Sequence, residues 1–126
     1  MDITPTIPSD RQYIQRYDAT GFRISGIDHV GSVIVLPERT MPWPIERLDQ
    51  VDLGSLEPLL AAAPRPELLI IGCGRRGAPP IISLRAALKA HGIALDMMET
   101  GAACRTYNVL LGEERRVAAA LIALGV

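Results

Sequence analysis

Two short apolar runs constrain this chain more than any other feature. Glu67-Leu68-Leu69-Ile70-Ile71 is apolar after its first residue, and Ile93-Ala94-Leu95-Asp96-Met97-Met98 is interrupted only by one aspartate. Neither alternates as a half-solvated strand must, and turn residues bound both, so each reads as a strand buried on both faces. Between them Ile81, Leu84, Ala87, Leu88 and His91 recur at helical spacing. Pro79 or Pro80 suits the first turn of that helix, and Gly92 suits the position just after its end.

The flanks complete the pattern. Tyr13–Tyr17, Phe22–Ile24 and Val30–Leu36 are rich in β-branched and aromatic residues, with turns expected at Asp18–Gly21 and Gly26–Asp28. Pro42 and Pro44 leave room only for a short edge strand at Trp43–Ile45. Asp52 is placed to cap a helix over Leu53–Ala63, which Pro64 and Pro66 would end. Thr100 is placed to cap another over Gly101–Leu111. Arg115–Leu124 is ambiguous, since Ala118–Ala120 favour helix while Val117, Leu121 and Ile122 suit a strand. An antiparallel meander followed by a β-α-β-α order points to an α/β sandwich with a hairpin region appended. Residues 1–12, with Pro5 and Pro8, read as a flexible N-terminal arm, and 13–126 as a single α/β domain.

Charge removes several function classes. Thirteen basic and fourteen acidic side chains leave a net charge of −1, so there is no bulk electrostatic case for nucleic acid. Residues 1–66 carry a net −3 and residues 67–126 a net +2, too small an asymmetry to name a partner. No apolar stretch approaches the roughly 20 residues that span a bilayer. The first residues lack the basic and apolar regions of a secretory leader, and two free cysteines, Cys73 and Cys104, fit a reducing cytoplasm.

Gly72-Cys73-Gly74-Arg75-Arg76-Gly77 matches the glycine pattern of dinucleotide folds, with Asp96 and Glu99 near the ribose-binding position. The match fails physically. Pro79-Pro80 place the helix after the third glycine rather than around it, and too little chain follows Glu99 for a second nucleotide half. A weaker reading keeps an anion site, with Arg75 and Arg76 beside the free amides of the Pro80 helix. The simpler one makes Gly72 and Gly74 a tight turn and leaves the arginines solvated.

On a helix, Ala103, Cys104, Tyr107, Leu110 and Leu111 share one arc, which is the core face. Arg105 and Asn108 project together from its flank. They are either a binding pair at a strand-to-helix crevice or a tie between the meander and the helix. Cys104 lies on the apolar arc with neither His29 nor His91 nearby in sequence, and so reads as an inert core thiol. The cysteines and histidines lack metal-ligand spacing. Glu113-Glu114-Arg115-Arg116 reads as a solvated turn, and Trp43 as a core plug.

Three strings together are distinctive: Leu69-Ile-Ile-Gly-Cys-Gly74, Met98-Glu-Thr-Gly-Ala-Ala-Cys-Arg-Thr-Tyr-Asn-Val-Leu110 and Glu114-Arg-Arg-Val-Ala-Ala-Ala-Leu121. They resemble domain of unknown function family 498, which includes mitochondrial complex I assembly factor three, and the resemblance runs from about Tyr13 to Ile122. It implies a three-layer α/β sandwich with a mixed central sheet and an additional N-terminal antiparallel β-layer. It also implies that 115–123 is a strand. Carried over by position, the motif residues are Gly72, Gly74, Thr100, Ala103, Arg105, Thr106, Asn108, Glu114 and Arg116. Cys73 departs from the family's usual Thr between the two glycines.

The family carries no established activity, catalytic residue or cofactor. The resemblance therefore implies a non-enzymatic protein whose partners are other proteins: respiratory complex I subunits, assembly factors or membrane-insertion machinery. Peripheral membrane association is compatible with it. The alternative is a small anionic-ligand or phosphate-binding module using the Gly72–Arg76 turn with Arg105 and Asn108. The Arg/Ala-rich composition and the lack of a mitochondrial presequence point to a bacterial, cytoplasmic protein.

Overall fold

A computed structural model describes residues 10–125. The first nine residues of the expected arm lie outside that range. Its last residue, Gln12, donates its backbone N–H to the Pro37 carbonyl at 2.8 Å.

Three antiparallel strands open the chain: β1 (Ile14–Tyr17), β2 (Gly21–Ile24) and β3 (Ile27–Val30), paired in the order β1-β2-β3. The β1–β2 turn is organised by Asp18, whose carboxylate accepts from Thr20 N, Thr20 Oγ1 and Gly21 N at 2.9–3.0 Å. The next turn falls at Ser25-Gly26 rather than Gly26–Asp28. Both residues have positive φ, 46° and 85°, the twist that a two-residue hairpin needs. The run expected over Val30–Leu36 is cut in two, because Gly31 at φ 85° turns the chain out of the meander.

The central sheet has five strands in the order β5-β4-β8-β6-β7. It comprises β4 (Val33–Val35), β5 (Thr40–Pro42), β6 (Leu68–Gly72), β7 (Ala94–Met98) and β8 (Val117–Leu121). β6 pairs in parallel with both β7 and β8, while β4 runs antiparallel to β8 and β5. The short edge strand is therefore Thr40–Pro42, and Trp43 beyond it turns inward. Its ring is buried, and its Nε1 donates to the Ser55 carbonyl at 2.9 Å.

Helices cover both faces: α1 (Glu57–Leu60), α2 (Ile82–Ala90) and α3 (Thr100–Gly112). From β6 the chain crosses to β7 through α2, then back over β6 to β8 through α3. Right-handed crossovers in opposite directions put these helices on opposite faces. One core gathers Trp43, Leu56, Leu59, Leu84 and Leu88 on the face carrying α1 and α2. The other packs Ile14, Phe22 and Ile24 of the meander with Ala103, Cys104 and Tyr107 of α3. The molecule is thus the expected three-layer sandwich with a mixed sheet and an extra antiparallel β-layer.

Four local expectations are corrected. The helix expected over Leu53–Ala63 shrinks to a 3-10 turn at Gly54–Leu56 and the single turn of α1. Asp52 does accept from Ser55 N at 2.8 Å, but the Arg65 guanidinium takes the Leu60 carbonyl and closes the helix early. α2 begins at Ile82 instead of Pro79 or Pro80. Each residue before a proline is pushed out of helical space, and Ile81 remains extended at ψ 104°. α3 is capped by Glu99, not Thr100. Finally, β7 is an edge strand with Ala94 and Asp96 exposed, and of the two expected buried strands only β6 is covered on both faces, as are β4 and β8.

Candidate functional site

Open parallel sheets bind ligands where neighbouring strands send their connections to opposite faces. Here that point lies between the C-terminal ends of β6 and β7, where Gly72, Gly74 and Thr100 meet. The chain fills the crevice itself. Cys73 N donates to Met98 O, Thr100 N donates to Gly74 O, and Gly74 N donates to Thr100 Oγ1, each at 2.8 Å. The Thr100 hydroxyl in turn donates to Ile122 O at 2.8 Å, joining β8 to the same knot.

The glycines are there for close approach. A Cβ on Gly72 would stand 3.0 Å from Thr100 Oγ1 and 3.1 Å from Leu121 Cδ2, and Gly74 adopts φ 96°. The amides of Cys73, Gly74 and Thr100 are therefore occupied, and residues 75–81 separate them from the first turn of α2, whose amides are the ones the anion reading uses. The N-terminus of α3 is filled as well. Glu99 accepts from Gly101 N at 3.1 Å and from Ala102 N at 2.7 Å, so an internal carboxylate sits where an external anion would.

Asn108 is buried, and its side-chain amide acts as an extra peptide unit. Oδ1 accepts from Ile14 N at 2.9 Å and Nδ2 donates to Ile14 O at 2.8 Å, sealing the outer edge of β1 against α3. Arg105 is half exposed. It reaches Tyr17 Oη at 3.3 Å and Glu99 Oε1 at 3.5 Å. Thr106, part-buried, points its hydroxyl at Met98 Sδ. Arg75 donates to Gly125 O at 2.8 Å, and Arg76 is exposed.

The candidate residues thus divide. Gly72, Gly74, Thr100 and Asn108 form a buried frame, while Arg75, Arg76, Arg105 and Thr106 face outward around it. Sequence reasoning missed Glu99 as a cap and Tyr17 as a contact. The signal for Tyr17 was Gly101: the Tyr17 hydroxyl stands where a Cβ at that position would go.

No thiol here is poised for nucleophilic chemistry. Burial pushes Cys104 up to about 12, with the Arg105 charge opposing weakly. Burial also raises Cys73, against hydrogen bonds from the Ala78 and Met98 backbone. Tyr107 is raised by burial too, and its hydroxyl donates to Gln12 O at 2.9 Å. A recess of about 870 Å³ lies between Val30, Trp43, Ile45 and Leu124, and none of the candidate residues lines it. Among the described residues no helix is long and apolar enough to cross a membrane.

Known proteins are similar to this chain in sequence and fold. A protein named NADH dehydrogenase [ubiquinone] 1 alpha subcomplex assembly factor 3 from Xenopus tropicalis is 33% identical over 110 residues, 87% of this chain and 60% of that protein. The chain therefore spans about three fifths of that curated relative's length. An uncharacterized protein of Rhodobacter capsulatus is 38% identical over 109 residues, 86% of this chain and 82% of the relative. Among solved structures, one described as an outer membrane protein from Bartonella henselae superposes with a TM-score of 0.82 at 35% identity, covering 91% of this chain and 97% of that one. A Mth938-like domain from Bordetella pertussis has a TM-score of 0.82 at 24% identity, covering 99% and 94%, and shares the fold. The model for proteins of unknown function DUF498/DUF598 matches residues 14–122, and the chain belongs to that family.

Proposed function

We propose that this chain is a non-enzymatic protein-binding factor that assists assembly of a membrane respiratory complex of the complex I type, acting from the bacterial cytoplasm. The observation that carries the proposal is its 33% identity, across 87% of its length, to a protein named for complex I assembly. The geometry is compatible in a specific way. Where an α/β sheet would hold a small molecule, this one spends its amides and its helix N-terminus on its own residues. That leaves the outward residues around the knot, Arg75, Arg76, Arg105 and Thr106, as the surface offered to protein partners. Complex I subunits, other assembly factors and insertion machinery are the partner classes, and peripheral contact with a membrane would follow from theirs.

Of the groups the anionic-ligand reading draws on, Gly74 N and the Asn108 amide are engaged within the chain, while Arg75, Arg76 and Arg105 face outward. Affinity capture of the tagged protein from native lysate with solubilised membranes, read by quantitative mass spectrometry, tests the proposal. Enrichment of complex I subunits or insertion proteins, reduced by Arg105→Glu, is the expected result. A clean capture with no such protein, together with thermal stabilisation by phosphate or a nucleotide, would overturn it.

A further inference from the structure

The residues between Glu67 and Asp96 contain no acidic side chain, yet they carry Arg75, Arg76, Arg85 and Lys89. The side chains of Arg76, Arg85 and Lys89 make no ion pair or hydrogen bond among the described residues, whereas those of Arg11, Arg16, Arg23, Arg47, Arg105 and Arg115 all have carboxylate partners. On α2, Ile82, Arg85 and Lys89 fall at i, i+3 and i+7, a single stripe, and Ile82 is 80% exposed.

Beside this stripe runs a groove of about 440 Å³, walled by Arg85 and Lys89 on one side and by Ile93, Ala94 and Leu95 on the other. Glu67 also lines it, but its carboxylate is held by Arg115 at 3.0 Å. The groove opens along β7, the unpaired edge of the central sheet. Ala94 N donates to Glu67 O, and Met98 O accepts from Cys73 N. In a parallel ladder alternate residues face the neighbouring strand, so residues 94, 96 and 98 face β6. The N–H and C=O groups of Leu95 and Met97 then face outward, ready for another strand.

We infer that the groove between α2 and the β7 edge is a docking site for an extended, acidic segment of a partner protein, added to the sheet as a sixth strand. Backbone pairing with Leu95 and Met97 supplies affinity, and alternate side chains supply specificity. Those on the α2 side meet Arg85 and Lys89 and must be acidic. Those on the opposite side lie by Ala94 and Asp96 and must be small, polar or basic. A walled groove and an open backbone edge fit a polypeptide better than the flat surface of a membrane. The inference rests on the protein-binding reading above and adds to the outward residues around the knot a second surface, on which an extended segment of the partner docks.

A synthetic nine-residue peptide with glutamate at every second position and threonine or lysine between tests it. Controls are a scrambled peptide of the same composition and vesicles of anionic phospholipid. Titration followed by NMR should move resonances of residues 85–97, and hydrogen exchange at Leu95 and Met97 should slow on binding. Arg85→Glu combined with Lys89→Glu, both exposed, should weaken the peptide by about tenfold or more. A peptide with lysine in place of the alternating glutamates should bind this variant better than wild type. Equal binding of the scrambled peptide, unprotected Leu95 and Met97 amides, or charge-dependent binding to vesicles alone would overturn the inference. If the double variant still captures complex I subunits from lysate, the docking site is wrong and the role stands. If the wild type captures none, the role itself fails.

Discussion

Replacing Asn108 by Leu would keep its volume while stripping the Ile14 N–H and C=O of the amide that satisfies them. Two backbone groups left unpaired away from water cost about 1–3 kcal/mol each, so Asn108→Leu should lose about 2–6 kcal/mol in urea denaturation. A binding residue, by contrast, would lose affinity at unchanged stability. Thr100→Val breaks two bonds of the crevice knot and is expected to lose about 2–3 kcal/mol by the same measurement. Cys104, with its thiol raised to about 12 by burial, should resist iodoacetamide at pH 8 in the folded protein and react fully once unfolded, as mass spectrometry can follow. Asp18 is held below its ordinary 3.8, first by the Thr20 amide and hydroxyl and then by the Gly21 amide. Its contribution is therefore complete above 3.8 and disappears as pH falls through the lower folded value. Asp18→Asn should leave a flatter acid limb in the stability profile, and an NMR titration of Asp18 should give a midpoint under 3.8.

Elements differ in how far their residues announce them. The apolar run of β6 and the arc Ala103, Cys104, Tyr107, Leu110, Leu111 on α3, of which Leu110 is only partly buried, were legible because each repeats the period of its own element. β7 misled, because whether a strand is buried on both faces depends on sheet order, and the return crossover through α3 left it at the edge. The Pro79-Pro80 pair misled in another way: a proline suits the first turn of a helix, but two in succession keep the chain extended until Ile81. β8 is the sharpest case, since Ala118–Ala120 prefer helix and only the family resemblance made it a strand. Its small side chains are what let both faces close on it, and all five residues are buried. Ala119→Leu should therefore cost about 1–3 kcal/mol through overpacking against the α3 face, measured by thermal or urea unfolding.

At the scale of the molecule, the candidate site was legible as a location but not as a structure. The glycines and Thr100 marked the meeting of the β6 and β7 loops, while Arg105 and Asn108 marked the contact of α3 with β1. That their polar groups close on each other was not readable, because the knot is made mostly of backbone amides, which every residue carries. The outcome is a fold whose usual ligand crevice is sealed and whose open features are a basic stripe, an unpaired sheet edge and a half-exposed Arg105. Such a surface suits recognition of another protein. Native gel electrophoresis of membranes from the source organism lacking this chain tests that claim most directly. The account predicts less mature complex I with partly assembled intermediates accumulating, other respiratory complexes unchanged, and recovery on return of the wild-type protein. A normal amount of mature complex I in the deletion strain would contradict it.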